Sequence, residues 1–251
     1  MSMIKFIVQN SVAVLSLNRP EKRNSLHPDL VAEMKEKLNS ASSDKNIRIL
    51  IITGEESSFC AGADLSYLNE LKDYSAVQNE RDSENLAGLF LQIYNFPKPT
   101  IAAVNGPAIA GGCGLASVCD IIVAHPEKSK FGYSEVKIGF IPAIVSIFLL
   151  KRIGEGKAKR MLLTGDIYNG SDAFKIGLAD YLADDVISKS TEIANSLLKN
   201  SQSSMMMTKK MLNDISGLDV NDAVNHCINL NTISRSTEDF ISGLSNFLNK
   251  K

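Results

Sequence analysis

The sequence has no basic excess: 27 Lys and Arg stand against 28 Asp and Glu, for a formal net charge of −1. Nucleic acids and membrane surfaces select a basic face or stripe, so neither is an expected partner. No apolar run is long enough to cross a bilayer. The opening MSMIKFIVQN lacks the charged, apolar and small-residue order of a signal peptide, and a cytoplasmic setting is the expectation. Cysteine is sparse. Cys60, Cys113, Cys119 and Cys227 form no C-x-x-C pair and have no His at ligand spacing, which argues against a disulfide framework and against a metal site. GEGK at Gly154 to Lys157 lacks the spacing and terminal hydroxyl residue of a phosphate loop. There is no G-x-S-x-G elbow to anchor ordinary serine-hydrolase chemistry.

What is present alternates strands with helices. IKFIVQN and VAVLSL are β-rich runs split by Asn10-Ser11, a hairpin signal. HPDLVAEMKEKLNSASS puts Leu30, Met34 and Leu38 at helical spacing, with Pro28 suited to the first turn. Ile47 to Gly54 is an apolar strand of the kind a sheet covers on both faces. Prolines punctuate the entry into a second buried strand, Thr100 to Val104. LASVC reads as helix and DIIVAH as strand, and from Glu155 onward the chain reads as almost wholly helical. The fold class is therefore α/β with a helical C-terminal portion. Met205 to Met207 read as packing residues on a helix, and His27, His125 and His226 have no partner spacing that marks them as catalytic. Cys113 has no neighbouring charge that would stabilise a thiolate.

Two segments share one design, a β run followed by a small-residue turn and a helix start. They are SFCAGADL after the first apolar strand and AIAGGCGL after the second. Free N–H groups at such junctions point outward, and the helix dipole favours negative charge there. Two such loops facing one spot would form an oxyanion hole, where losing one donor costs ~3 kcal/mol. Each loop alone could equally be a tight turn where helix meets sheet. Glu135, in KFGYSEVKIGF, interrupts an apolar and aromatic stretch. Desolvation would make it a usable proton acceptor and donor, whereas in an exposed first helical turn it would only favour the dipole.

Taken together and in order, VAVLSLNRPEKRNSL, LIITGEESSFCAGADL, KPTIAAVNGPAIAGGCGLASVCDIIVA, KFGYSEVKIGFIP, LLTGDIYNGSDAFKIGLAD and FISGLSNFLNKK resemble the crotonase superfamily, the enoyl-CoA hydratases and isomerases. The resemblance spans nearly the whole chain. It implies a spiral of ββα units in a core of residues 1–190, and a C-terminal helical trimerisation segment in residues 191–251. The partner it implies is an acyl-CoA thioester, with coenzyme A as part of the substrate and no separate cofactor, on a homo-trimer or hexamer. By motif position, the backbone N–H groups of Ala63 and Gly111 hold the thioester oxygen and Glu135 supplies the acid–base carboxylate. Lys22, Arg23, Ala61, Asp64 and Leu65 are carried over as substrate-binding, with Phe247 and Lys250 reaching over from a neighbouring subunit. Hydratases of this family usually carry a second glutamate just after the glycine loop, where this chain has Gly114. The implied activity is hydration of a 2-enoyl-CoA. The alternatives are isomerisation of a 3-enoyl-CoA by Glu135 alone, and noncatalytic acyl-CoA binding. A carboxylate restored at position 114 is expected to raise hydration.

Overall fold

Asn10 and Ser11 take φ of 49° and 64°, the left-handed pair that a two-residue hairpin requires. They join β1 (Ile4–Gln9) to β2 (Val12–Leu17) as antiparallel neighbours. The computed structural model describes residues 2–249. Helix α1 (Pro28–Ser43) opens with its proline in the first turn and buries Leu30, Met34 and Leu38, as their spacing predicts. Strand β3 (Ile49–Gly54) is buried at every residue and starts two residues later than the apolar run. There follow α2 (Leu65–Leu71), α3 (Ala76–Tyr94), β4 (Thr100–Val104), β5 (Pro107–Ile109), α4 (Gly111–Ser117), β6 (Ile121–Ala124) and β7 (Lys130–Gly132). Next come α5 (Ala143–Ile153), α6 (Glu155–Thr164), β8 (Tyr168–Asn169), α7 (Gly170–Ile176), β9 (Tyr181–Leu182) and α8 (Val186–Leu197). The described chain ends with α9 (Gln202–Ile215), α10 (Val220–Ser234) and α11 (Glu238–Leu248). None of these helices is long and apolar enough to cross a membrane.

The strands form a six-stranded sheet in the order β1-β2-β3-β4-β6-β9 and a three-stranded sheet in the order β5-β7-β8. Pairing from β2 through β9 in the larger sheet is parallel. Alternation along its central strands divides the core. Leu50, Ile52, Ala102, Val104, Ile122 and Ala124 face the larger cluster, while Ile49, Ile51, Ile101, Ala103 and Val123 face a smaller one. Both faces are covered, so the strands read as unbroken apolar runs rather than as alternating ones.

Two expectations shift here. The glycines are not a loop ahead of a helix, because α4 starts at Gly111 itself. The chain after Glu155 is not wholly helical either. β8 and β9 are two-residue strands, too short to leave a period in the sequence. The division at 190/191 falls inside α8, whose Val186, Ser190, Ile193 and Ala194 are buried. Arg48 fixes that helix by donating to the carbonyls of Leu198 and Asn200 at its C-terminal end.

Candidate active site

Strands β3 and β4 are parallel neighbours, with Leu50, Ile51 and Ile52 beside Thr100, Ile101 and Ala102. Their C-terminal ends therefore deliver both small-residue loops to the same edge of the sheet, where open α/β sheets bind ligands. Asn105 ties the loops together by donating to the carbonyls of Gly54 and Glu56, each at 2.8 Å. In the first loop, Leu26 N–H donates to Gly62 O at 2.7 Å and Asp64 N–H donates to Leu26 O at 2.9 Å. In this parallel bridge Leu26 is held by the residues on either side of Ala63, so the N–H of Ala63 points away from it. That N–H, and the N–H of Gly111 at the start of α4, donate to no acceptor among the described residues. The loops abut: a Cβ on Gly62, which has φ of 90°, would lie 3.5 Å from Gly111 N. Two unpaired amide donors thus sit on abutting loops at the ends of adjacent strands.

Close approach explains the glycines. A Cβ on Gly112 would lie 2.0 Å from Cys60 O, so α4 can press on the first loop only with glycine there. At Gly114 the crowding comes from the other side, with Val145 Cγ1 at 2.2 Å from the Cβ position. Ala110, at the N-cap of α4, has φ of 51° and ψ of −121°, a conformation that strains any residue but glycine.

Glu135 opens a 3-10 turn, Glu135–Ile138, and is 9% exposed. Its Oε2 is buried and has no hydrogen-bond partner. Burial pushes the carboxyl above its ordinary value, which makes it a better proton acceptor than an exposed glutamate. An exposed first-turn glutamate held only by the helix dipole is therefore not what the structure contains. Gly111 and Glu135 are carried by neighbouring elements, since β7 pairs with β5 and runs into Glu135 and Ala110 N–H donates to Gly132 O at 2.7 Å, while Cys60 of the first loop bridges to Ala108 of β5. Cys113 is fully buried and its thiol is pushed up to about 12, which removes it as a nucleophile at neutral pH.

The substrate-binding residues divide. Ala61 N–H donates to Arg23 O at 3.0 Å, so the exposed side chains of Lys22 and Arg23 stand on the rim beside Ala61. Leu65 is 80% exposed at the start of α2. The Asp64 side chain is engaged within the protein. Its carboxylate caps α2 by accepting from Ser66 and pairs with Arg19 Nη2 at 3.0 Å. The Ser66 hydroxyl and the Arg19 guanidinium hold it well below the usual carboxylate range, so its carboxylate shapes the loop. Gly114 carries no reacting group, and Val145 fills the space a side chain there would take. Phe247 is 70% exposed near the end of α11, and Lys250 lies outside the described residues. Sequence reasoning missed Arg19 and Asn24. Asn24, at φ of 55°, donates to the carbonyls of Glu55 and Ser58 and accepts from Arg19 N–H. An Asn at the end of NRPEKRN is a left-handed turn signal that could have found it. The groove of about 860 Å³ along α8 contains none of these residues.

Unpaired backbone donors on abutting loops at the carboxyl ends of parallel strands, with a buried carboxylate following β7, are carried here on a crotonase fold. Comparison with known proteins agrees. An enoyl-CoA hydratase from Shewanella pealeana superposes with a TM-score of 0.95 at 29% identity, covering 100% of this chain and 94% of that one. The family profile for enoyl-CoA hydratase/isomerase matches residues 8–251. A Thermus thermophilus protein with a provisional enoyl-CoA hydratase name is 37% identical over 247 residues, 98% of this chain and 97% of its own. A crotonyl-CoA hydratase of Syntrophomonas wolfei is 33% identical over 97% of this chain and 94% of its own. The chain belongs to the enoyl-CoA hydratase/isomerase family.

Proposed function

We propose that the protein hydrates a 2-enoyl-CoA. The observation that carries this reading is the pairing of two unsatisfied N–H groups, on Ala63 and Gly111, with the unpartnered buried Oε2 of Glu135. The thioester oxygen accepts from both N–H groups. Ionised Glu135 takes a proton from a water as its oxygen bonds to C3, and the displaced π electrons move onto the thioester oxygen as an enolate. The protonated carboxyl, or solvent, then returns a proton to C2. One carboxylate has to position and deprotonate the water. Lys22, Arg23 and Ala61 are the residues on this rim suited to the coenzyme A portion.

A second reading is favoured by one observation, the side chain of Val145 against Gly114. A site with a single carboxylate suits a 3-enoyl to 2-enoyl isomerase, in which Glu135 lifts a proton from C2 and returns it at C4. Purified protein mixed with crotonyl-CoA decides between them. Gain of one water, read by mass, supports hydration. No gain on crotonyl-CoA or on a branched 2-enoyl-CoA, with conversion of a 3-enoyl-CoA, supports isomerisation. Inertness toward all three, with binding retained, leaves the noncatalytic reading. We extend the proposal to a trimer-based assembly, because α10 and α11 expose Val220, Ile228, Ile241, Phe247 and Leu248.

A further inference from the structure

Two hydrogen-bonded ties join the segment bearing Glu135 to the helix bearing Gly111. One is the backbone bond from Ala110 N–H to Gly132 O at the N-cap of α4. The other is made of side chains and lies in the interior at the last residue of α4. The Ser117 hydroxyl lies 2.8 Å from Cys113 O and 3.2 Å from the Tyr133 phenol oxygen. A carbonyl can only accept and a serine has one proton, so Ser117 donates to Cys113 and Tyr133 donates to Ser117. Tyr133 is 0% exposed, and burial pushes its phenol well above its ordinary value, so the donor keeps its proton at working pH. Ser117 lies three residues beyond Gly114, on the same face of α4, and Tyr133 lies two residues before Glu135.

A seven-residue helix held at both ends against residues 132 and 133 cannot rotate or slide without breaking one of the two ties. We propose that Tyr133 and Ser117 are positioning residues that fix the Glu135 carboxylate relative to the Gly111 N–H. Phenylalanine and alanine would fill the same space and avoid desolvating two hydroxyls, so packing alone does not account for the pair. The proposal rests on the acyl-CoA reading of the site, because the distance being fixed is the one between a proton-transfer group and an oxyanion donor.

The test compares wild type with Tyr133→Phe, Ser117→Ala and the double variant, each checked for folding by circular dichroism and Tm. It reads kcat and KM for the enoyl-CoA that wild type turns over. It also reads binding of acetoacetyl-CoA, whose enolate places charge on the thioester oxygen without turnover. Misplacement of reacting groups by an ångström costs on the order of 100-fold, so a partial loosening is expected to lower kcat in each single variant by about 10-fold or more. KM stays within about 2-fold of wild type on the same ground, because ground-state contacts are kept. Acetoacetyl-CoA binding weakens while binding of free coenzyme A does not, and the double variant is no slower than the slower single. Ser117→Ala keeps the test alive if Tyr133→Phe does not fold. Unchanged kcat with only a lower Tm overturns the proposal, as do losses that multiply in the double variant. A wild type that neither turns over an enoyl-CoA nor binds acetoacetyl-CoA brings down the reading of the site and this proposal with it. Variants that match an active wild type bring down the proposal alone.

Discussion

Val145 on α5 occupies the space that a side chain on Gly114 would need: a Cβ there would lie 2.2 Å from Val145 Cγ1 and 2.6 Å from Val145 Cβ. Phe90 Cε1 stands 3.3 Å from the same position. The second carboxylate of a two-glutamate site is therefore absent together with its room. Val145 of α5 fills that space with an apolar side chain.

The expectation that Gly114→Glu raises hydration is overturned by this packing. Overpacking a core position costs about 1–3 kcal/mol, and a carboxylate pressed on Val145 and Phe90 adds desolvation to that. Gly114→Glu is expected to lower Tm by several degrees and to lose activity. Gly114→Glu with Val145→Gly clears both clashing atoms and is expected to recover part of the stability, even though glycine inside α5 itself costs ~1 kcal/mol. Thermal unfolding of the two single variants and the double checks this. Additive losses would mean that the two positions do not share space.

Glu135→Gln is expected to lower kcat by 10²-fold or more while leaving binding of a CoA ester nearly unchanged, since the amide keeps the shape and loses the proton transfer. Its effect on stability has the opposite sign. The folded pKa of Glu135 lies above its unfolded value. As pH rises from the unfolded pKa toward the folded one, the unfolded state releases its proton first, and the wild type loses stability across that window. The variant escapes this loss. Its Tm should exceed that of wild type at neutral pH and converge with it below the ordinary glutamate pKa. Wild-type turnover should rise with pH through the same elevated pKa, because the ionised form is the base. A Tm difference that does not change with pH would place Glu135 in water.

Much of this was legible in the sequence, and the reason is local. The hairpin at Asn10 and Ser11, the α1 stripe of Leu30, Met34 and Leu38, and the buried β3 and β4 all carry short-range signals. The paired loops and Glu135 were legible because glycine density and a carboxylate in an apolar run each break a local pattern. What escaped depends on distant partners. Asp64 looked free for substrate until Arg19, 45 residues away, was seen beside it. Gly114 looked like a vacant catalytic position until Val145 was seen against it, and no period or motif links those two positions.

Ala110→Gly tests the strained N-cap. With φ of 51° and ψ of −121°, Ala110 pays a steric penalty that glycine does not, while both keep the N–H that donates to Gly132. The variant is expected to gain roughly 1 kcal/mol of stability, reduced by the greater freedom of glycine in the unfolded chain. Activity should stay within about 2-fold of wild type, because the tie to Gly132 is unchanged. Denaturant unfolding beside a turnover assay reads both. A loss of stability would mean that the Ala110 methyl contributes more in packing than its backbone costs.

The C-terminal helices carry the last prediction. Ile241, Leu244 and Leu248 follow one another at helical spacing on α11, and Phe240 and Phe247 repeat a seven-residue step beside them, all partly or mostly exposed in the single chain. A continuous apolar face of this kind suits an association surface, and the trimer proposed above would set Phe247 at a subunit contact. Light scattering is expected to return a multiple of three chain masses. Ile241→Glu with Leu248→Glu is expected to return single chains whose KM for the CoA ester has risen more than their kcat has fallen, if Phe247 contributes to binding across the subunit contact and not to proton transfer. Wild-type protein that runs as a monomer with full activity would remove both the assembly and the role of Phe247 in it.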